Sequence, residues 1–345
     1  MKIAVISDTH FGVRNDSPLF LAYSFKFFED IFFPYLQANG IDTIIHMGDL
    51  LDRRKYVNFN TLSQVKRRFF APLKEQGIKV HCIPGNHDTY WKNTNDLNSL
   101  RELFHDDLHL YEKPTTVDFD GCSVLFLPWV NKENSQECED ALDASVAPVL
   151  VGHLELDGYE VMRGINHNGG MSDNILHKFD MVLSGHFHCR QFKGNVHYLG
   201  TQYDLNFSDL NERKGFHVFD TETRNLTFIE NPYKMYHKLF YNDTENNYAE
   251  FPCERYKDCY LRVVVTRKTD EIAFTSLCEA LVAAGVANLS IVEELSEDIG
   301  EGEKVDISKG TIELINDAID EMEMQVNKDK LKGVIRELYV DSLSL

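Results

Sequence analysis

The sequence predicts an α/β fold of two sheets flanked by helices, followed by a small α/β unit and a helical tail. Three observations carry this. Apolar stretches of strand length alternate with helical stretches at the start of the chain, the signature of a sheet with crossover helices. Five apolar strands end in Gly, Asp, Asn or His, around Asp8, Asp49, Asn86, His153 and His186. Three short strands with turns, Val196–Leu199, Gly215–Asp220 and Leu226–Ile229, suggest a second sheet packed on the first.

In chain order, Lys2–Ser7 (KIAVIS) reads as a buried strand closed by Asp8-Thr9-His10-Phe11-Gly12. The stretch from Leu19 to Leu36 is helical and carries Phe20, Phe25, Phe27, Phe28, Phe32 and Phe33. Those rings suit core packing, and their number also suits a subunit interface, hence a homodimer. Ile41–Met47 is a second strand, ending in Gly48-Asp49-Leu50-Leu51-Asp52. Arg53, Arg54 and Lys55 follow, then a helix from Phe59 to Gln76 that Gly77 closes. Ile78–Ile83 is a third strand and gives way to Pro84-Gly85-Asn86-His87-Asp88.

A helix is expected over Asn95–Glu102 and a hairpin over Val117–Trp129, turning at Asp120-Gly121. Ala147–Val151 is a strand ending in Gly152-His153, and Met181–Leu183 one ending in Ser184-Gly185-His186-Phe187-His188. Alternate residues of extended backbone share a face, so His186 and His188 can look into one pocket. Composition shifts near Asn231–Glu254, which is polar and interrupted by Pro232 and Pro252. The expected organisation is therefore a first domain over 1–235, a small α/β domain over 236–295, and a linker with a helical tail over 296–345. The tail repeats apolar residues at Ile312, Ile315, Ile319 and Met322, a face suited to a partner.

Composition bounds the function. The 345 residues are 43% hydrophobic, enough for a sizeable core. No apolar run approaches the roughly 18–20 residues that span a bilayer. The segment MKIAVISDTHFG is too short and too polar for a signal peptide, so a cytoplasmic protein without membrane contact is expected. Seven scattered cysteines suit reduced thiols. The formal net charge of −20 excludes gripping nucleic acid by bulk charge, though not through metals and a local basic patch.

The strand ends carry the chemistry. Sites in open α/β sheets form outside the carboxyl ends of the strands. Asp8, His10, Asp49, Asn86, His153, His186 and His188 therefore converge although they are far apart in sequence. Oxygen and imidazole donors of this kind suit Mn²⁺, Fe²⁺ or Zn²⁺, and Mg²⁺ less well. Seven ligands are too many for one open site and right for two ions sharing a carboxylate, for which Asp49 is the natural bridge. Such a pair clamps a phosphoryl group. His87 is then the acid beside the substrate, and Asp88 is expected to orient it. Asp52, Arg53, Arg54 and Lys55 directly follow a ligand and are candidates for contact with phosphate. His46 and His81 lie inside strands and read as core.

Taken in order, Asp8-x-His10, Gly48-Asp49-x-x-Asp52, Gly85-Asn86-His87-Asp88, Gly152-His153 and Gly185-His186-x-His188 resemble the calcineurin-like metallophosphoesterases. That resemblance implies a two-sheet sandwich flanked by helices. It also implies one metal on Asp8, His10, Asp49 and His188, a second on Asp49, Asn86, His153 and His186, and His87 as the catalytic histidine. Within the superfamily the chain is most similar to the SbcD / Mre-type DNA repair nucleases. Asp8-Thr9-His10-Phe11-Gly12, Gly48-Asp49-Leu50-Leu51-Asp52, and Tyr198-Leu199-Gly200-Thr201 with Lys214-Gly215-Phe216 carry this. The stretch Thr115–Trp129 resembles tailed-phage members. Position 52 is Asp where some members have a second catalytic His.

This resemblance implies a Mn²⁺-preferring exonuclease and endonuclease subunit acting on DNA in recombination and repair. Its partner would be a coiled-coil ATPase of the SbcC/Rad type, with a homodimer inside a heterotetramer. It also makes Tyr203 and Lys214 candidates for nucleic-acid contact. A phosphatase or cyclic-nucleotide phosphodiesterase shares the motifs but needs neither small domain nor tail. A silent scaffold would not need every ligand and His87.

Overall fold

The computed structural model describes residues 1–293 and, beyond them, only positions 319, 328, 332, 333 and 335. The expected linker and tail over 296–345 lie outside the described residues, those positions apart. The chain divides into two compact units, Met1–Met235 and Tyr236 onward.

In the first unit, short runs rich in β-branched residues form the strands. Lys2–Ile6, Thr43–His46 and Lys79–Cys82 pair in parallel, with Val5 opposite Ile45 and Ile45 opposite His81. His109–Leu110 extends this sheet at one side. At the other, Gly215–Asp220 pairs antiparallel with Lys2–Ile6, and Leu226–Glu230 pairs antiparallel with Gly215–Asp220. Two of the three short strands expected in a second sheet thus complete the first. The free edge of Lys2–Ile6 carries backbone groups that need partners, and this hairpin supplies them.

The second sheet runs in the order Gln191–Lys193, Val196–Tyr198, Met181–Gly185, Val149–His153, Cys122–Leu127, Thr115–Phe119. Its four central strands are parallel. The outer hairpin turns where expected, with Asp120 and Gly121 both in left-handed backbone (φ 52° and 83°).

Strand alternation divides the side chains between layers. Val124 and Phe126 face Ile3, Val5, Ile45 and Phe219 in a core between the two sheets. Their neighbours Leu125 and Leu127 face the opposite way, against Cys138 and Leu142 of the helix Ser135–Ala144. The first sheet is covered by Pro18–Phe27, a π-helical turn Phe28–Phe32, and Phe33–Ala38. Here the rings interlock: Phe28 meets Phe69 edge-on at 4.9 Å and Phe32 meets Phe216 at 4.8 Å. All six phenylalanines of this stretch are buried within the chain. They are core, and the expectation of a subunit interface made by them is withdrawn, because a ring already packed inside has no surface to offer a second copy.

The helix expected over Asn95–Glu102 starts later, at Ser99–Phe104, with the Asn98 side chain capping it by accepting from Arg101 N–H. Asn95 instead donates through Nδ2 to the Trp129 carbonyl (2.9 Å).

The second unit holds three parallel strands, Tyr236–Asn242, Tyr260–Arg267 and Asn288–Glu293, with the helix Glu271–Ala283. Tyr241, Val263, Val265, Phe274, Leu277 and Leu281 form its core. Tyr236–Asn242 was not expected as a strand, since His237, Lys238 and Asn242 dilute its apolar signal. Among the described residues no helix is long and apolar enough to cross a membrane.

Candidate metal centre

The parallel strands of both sheets end on one side, and the residues that follow them meet there. Asp8, Asp49 and His153 are almost wholly buried. Asp8 (φ 53°), His10 (φ 42°), Asp49 (φ 56°) and His186 (φ 84°) all sit in left-handed backbone. Such conformations cost non-glycine residues of order 1–3 kcal/mol each and persist where the surroundings over-determine them, as at functional sites.

One group gathers on Asp8, His10, His188 and Asp49. His10 Nε2 lies 3.1 Å from His188 Nε2, 3.7 Å from Asp49 Oδ2 and 4.0 Å from Asp8 Oδ1. A second gathers on Asp49, Asn86, His153 and His186. His153 Nε2 lies 3.4 Å from Asp49 Oδ2 and 2.9 Å from the Asn86 amide, which is also 2.9 Å from His186 Nδ1. Asp49 belongs to both groups.

These spacings test the fit to metal ions. The tautomers are fixed from behind. His153 Nδ1–H donates to the Met47 carbonyl (2.7 Å), so its Nε2 presents a lone pair. Asp52 Oδ1 sits 3.3 Å from His10 Nδ1, which turns the His10 Nε2 lone pair inward as well. Lone pairs aimed at one another across about 3 Å repel unless a cation or proton lies between them. Carboxylate- and carbonyl-held imidazoles with converging lone pairs are how metal-binding histidines are oriented. The residues present therefore fit two divalent ions sharing Asp49.

The electrostatics agree. Burial pulls His10 and His153 down, yet the surrounding carboxylates outweigh it and hold both up at about 9, so each Nε2 holds a proton that a divalent cation would displace to reach the lone pair. Asp49 is pushed up by burial, but the imidazoles around it bring it well below its ordinary value. Burial and then His153 push His186 well down, and burial and then His10 push His188 well down, so both stay neutral and able to ligate. The pocket attracts positive charge.

His87 stands over this cluster. Its ring meets that of His10 edge-on at 4.8 Å, and its main-chain N–H donates to Asp49 Oδ1 (2.7 Å). Its Nδ1 lies 2.5 Å from the main-chain carbonyl of Asp52. A carbonyl only accepts, so the proton is on Nδ1 and Nε2 is the nitrogen available to a substrate. The expected orienting role of Asp88 is corrected here. Asp88 is buried and accepts from the backbone N–H groups of Asp49 (2.7 Å), Leu50 (3.1 Å) and Gly85 (2.9 Å). It clamps two ligand loops together, and Asp52 orients His87 instead.

The basic run divides. Arg53 pairs with Asp16 (3.2 Å) and reaches the Tyr56 hydroxyl (3.0 Å). Arg54 reaches the centre itself. Its Nη2 lies 3.2 Å from the outer end of the Asn86 amide, the end turned away from His153 and His186. Lys55 is exposed, beside the Tyr90 ring. The Asp52 carboxylate lies behind His10, 3.3 Å from Nδ1. Tyr203 and Lys214 are buried and not available to nucleic acid. Tyr203 donates to the Thr9 carbonyl (2.5 Å), while Lys214 pairs with Asp209 (2.7 Å) and donates to the His188 carbonyl (2.9 Å). His46 is buried as expected, 3.1 Å from Thr9 Oγ1 and pushed down by burial to about 3. Sequence reasoning missed Trp129, whose ring lies 5.1 Å from that of His186 and 5.8 Å from that of His153. It follows strand Cys122–Leu127 at the same sheet end as the ligands, which is the signal that marks it.

Comparison with known proteins agrees with this geometry. The family model of the calcineurin-like phosphoesterases matches residues 1–190. Exonuclease subunit 1 of Enterobacteria phage T4 is 31% identical over 346 residues, covering 99% of this chain and 99% of that one. The SbcD subunit of the SbcCD nuclease of Staphylococcus epidermidis is 24% identical over 295 residues, 74% of this chain and 75% of its own. The DNA double-strand break repair protein Mre11 of Saccharolobus solfataricus is 29% identical over 200 residues, 55% of this chain and 50% of its own.

Proposed function

The chain belongs to the calcineurin-like phosphoesterases, and we propose that within this family it is a DNA nuclease subunit dependent on two divalent ions, Mn²⁺ by preference. One observation carries the reading: the similarity to a phage exonuclease subunit runs the full length of both chains. The converged donor set supports it.

Bound divalent ions supply charge neutralisation for the phosphate and a water of lowered pKa. The protein supplies the rest. Asp8, His10, His188 and Asp49 hold one ion and Asp49, Asn86, His153 and His186 the other. Asp88 fixes the spacing of the Asp49 and Gly85 loops through its three backbone hydrogen bonds. His87, its Nδ1–H held by the Asp52 carbonyl, presents Nε2 to the departing oxygen of the phosphodiester; Nε2 takes up a proton from water, against the burial that lowers its basicity, and passes it to that oxygen as the bond breaks. Arg54, beside Asn86, steadies the phosphate. Trp129 walls off the His153 and His186 side from water.

By the same kinship we propose an SbcC/Rad-type ATPase as partner, with the tail over 296–345 as its docking segment, in the cytoplasm. Removal of the chain after about residue 300 should abolish ATPase binding in a pull-down. Unimpaired binding overturns that assignment. A homodimer, if formed, uses surface other than the buried phenylalanines.

The test of the activity is cleavage of single-stranded and duplex DNA with Mn²⁺, for the native chain and His87→Ala, beside a small p-nitrophenyl phosphate ester. The native chain should cleave DNA only with the ion, and His87→Ala should be slower by about 10²–10⁴-fold while still binding metal. Turnover of the small ester with DNA untouched, even with the ATPase present, moves the assignment to a phosphatase.

A further inference from the structure

Two segments leave the metal centre and carry large rings into solvent. The first follows Asp52 and presents Tyr56, 64% exposed, and Phe59, 87% exposed at the start of the helix Phe59–Val65. The second follows Asp88 and presents Trp91, 52% exposed. Apolar rings left in water are a cost unless something covers them.

Cations lie among these rings. Arg53 is 4.9 Å from the Tyr56 ring centre, and Lys55 Nζ is 5.8 Å from that of Tyr90. Tyr90 in turn meets Trp91 edge-on at 4.5 Å. Lys55 forms no ion pair among the described residues. Rings interleaved with cations are how proteins hold unpaired nucleic acid: bases stack on the rings and phosphates meet the cations. The placement matches this use, because both segments begin at the residues around His87, where a scissile phosphate would sit. In a chain of net charge −20, the basic run Arg53-Arg54-Lys55 beside the centre suits a polyanion.

We propose that Tyr56, Phe59 and Trp91, with Lys55, form a stacking ledge that binds the unpaired bases of a DNA strand leading into the metal centre. The proposal rests on the nuclease reading and adds a substrate preference to it, for strands whose bases are free to stack. Base-paired DNA has its faces covered by its own stacking and gains little from such a ledge.

The chain has two tryptophans, so Trp129→Phe leaves Trp91 as the single tryptophan fluorophore. This full-length variant is titrated with oligothymidylate and with duplex of equal length, in chelator so that no cleavage occurs. Quenching of Trp91 by the single strand, and much less by duplex, is the expected result. In the otherwise native chain, Tyr56→Ala and Trp91→Ala should each bind a labelled oligothymidylate about tenfold more weakly by anisotropy. Both sites are exposed, so both variants should fold. Unchanged Trp91 emission and unchanged affinities, with Mn²⁺-dependent cleavage of DNA by the native chain intact, overturn the ledge and leave the nuclease reading standing. Absence of both binding and cleavage overturns the two together. Trp91 emission that changes with protein concentration alone assigns the rings to a second copy and overturns the ledge.

Discussion

Asp52 stands behind two imidazoles at once, and its two oxygen types separate their roles. The carboxylate faces His10 and the main-chain carbonyl holds His87. Asp52→Ala removes the first and keeps the second. The expected outcome is a loss of about 10–100-fold in Mn²⁺ affinity by calorimetry, since supports of metal-binding histidines carry that weight. The rate at saturating metal should change far less. A variant with native metal affinity contradicts the assignment of Asp52 to His10. Lys214 is the other informative residue. Burial pulls its ammonium down, but Asp209 and Glu212 outweigh this and hold it above its ordinary value. A raised folded-state value means its stabilisation is fully present at neutral pH and lost only on the alkaline side. Lys214→Met leaves two carboxylates and the His188 carbonyl without their cation. It should destabilise by about 3–5 kcal/mol in urea unfolding at pH 7.

The elements that matter most are the loops between strand ends and the next helix. Gly48 takes φ 92°, and a Cβ there would lie 2.5 Å from Gly85 N. At Gly85 the obstacle is space: a Cβ would lie 2.2 Å from Asp49 Oδ1 and 2.6 Å from Asp49 N. The two loops are in contact, and Asp88 stitches them. Gly85→Ala must displace the shared carboxylate, so both ions should be lost together. Metal analysis after dialysis should find well below one ion per chain, with the far-ultraviolet spectrum native. Retention of two ions would show that the loops yield without moving Asp49. These loops were legible as glycine next to a ligand, but the contact between residues 48 and 85 was not.

In the whole molecule, two sheets bring seven donors from five strand ends to one place, with three buried carboxylates among them and around them. The first unit should therefore be more stable with ions than without. Each site filled at 100 times its dissociation constant contributes roughly 2.7 kcal/mol. Thermal unfolding in chelator should thus occur several degrees lower than in Mn²⁺, and return of the ion should restore it. An unchanged midpoint would deny the metal centre its place in the fold. Adding Mg²⁺ in parallel ranks the two ions by the size of the shift.

The sequence by itself determined the strands that end at the site, the donors and the order in which they occur. Each depends on local properties: an apolar run long enough for one strand, then a residue whose side chain can bind metal. It also singled out His87 as a candidate for the chemistry. Tertiary structure decided what lies behind those residues. Whether Asp88 supports His87 or ties two loops depends on backbone hydrogen bonds from residues 38 and 39 positions away, which no local pattern records. Whether six phenylalanines form a surface or a core depends on Phe69 and Phe216 arriving against them. Whether Gly215–Asp220 joins one sheet or the other depends on which edge is left unpaired. Left-handed backbone at Asp8, His10, Asp49 and His186 is likewise not fixed by residue type: Asp and His adopt it more readily than most residues, yet only a small share of them do, and the surrounding fold selects which.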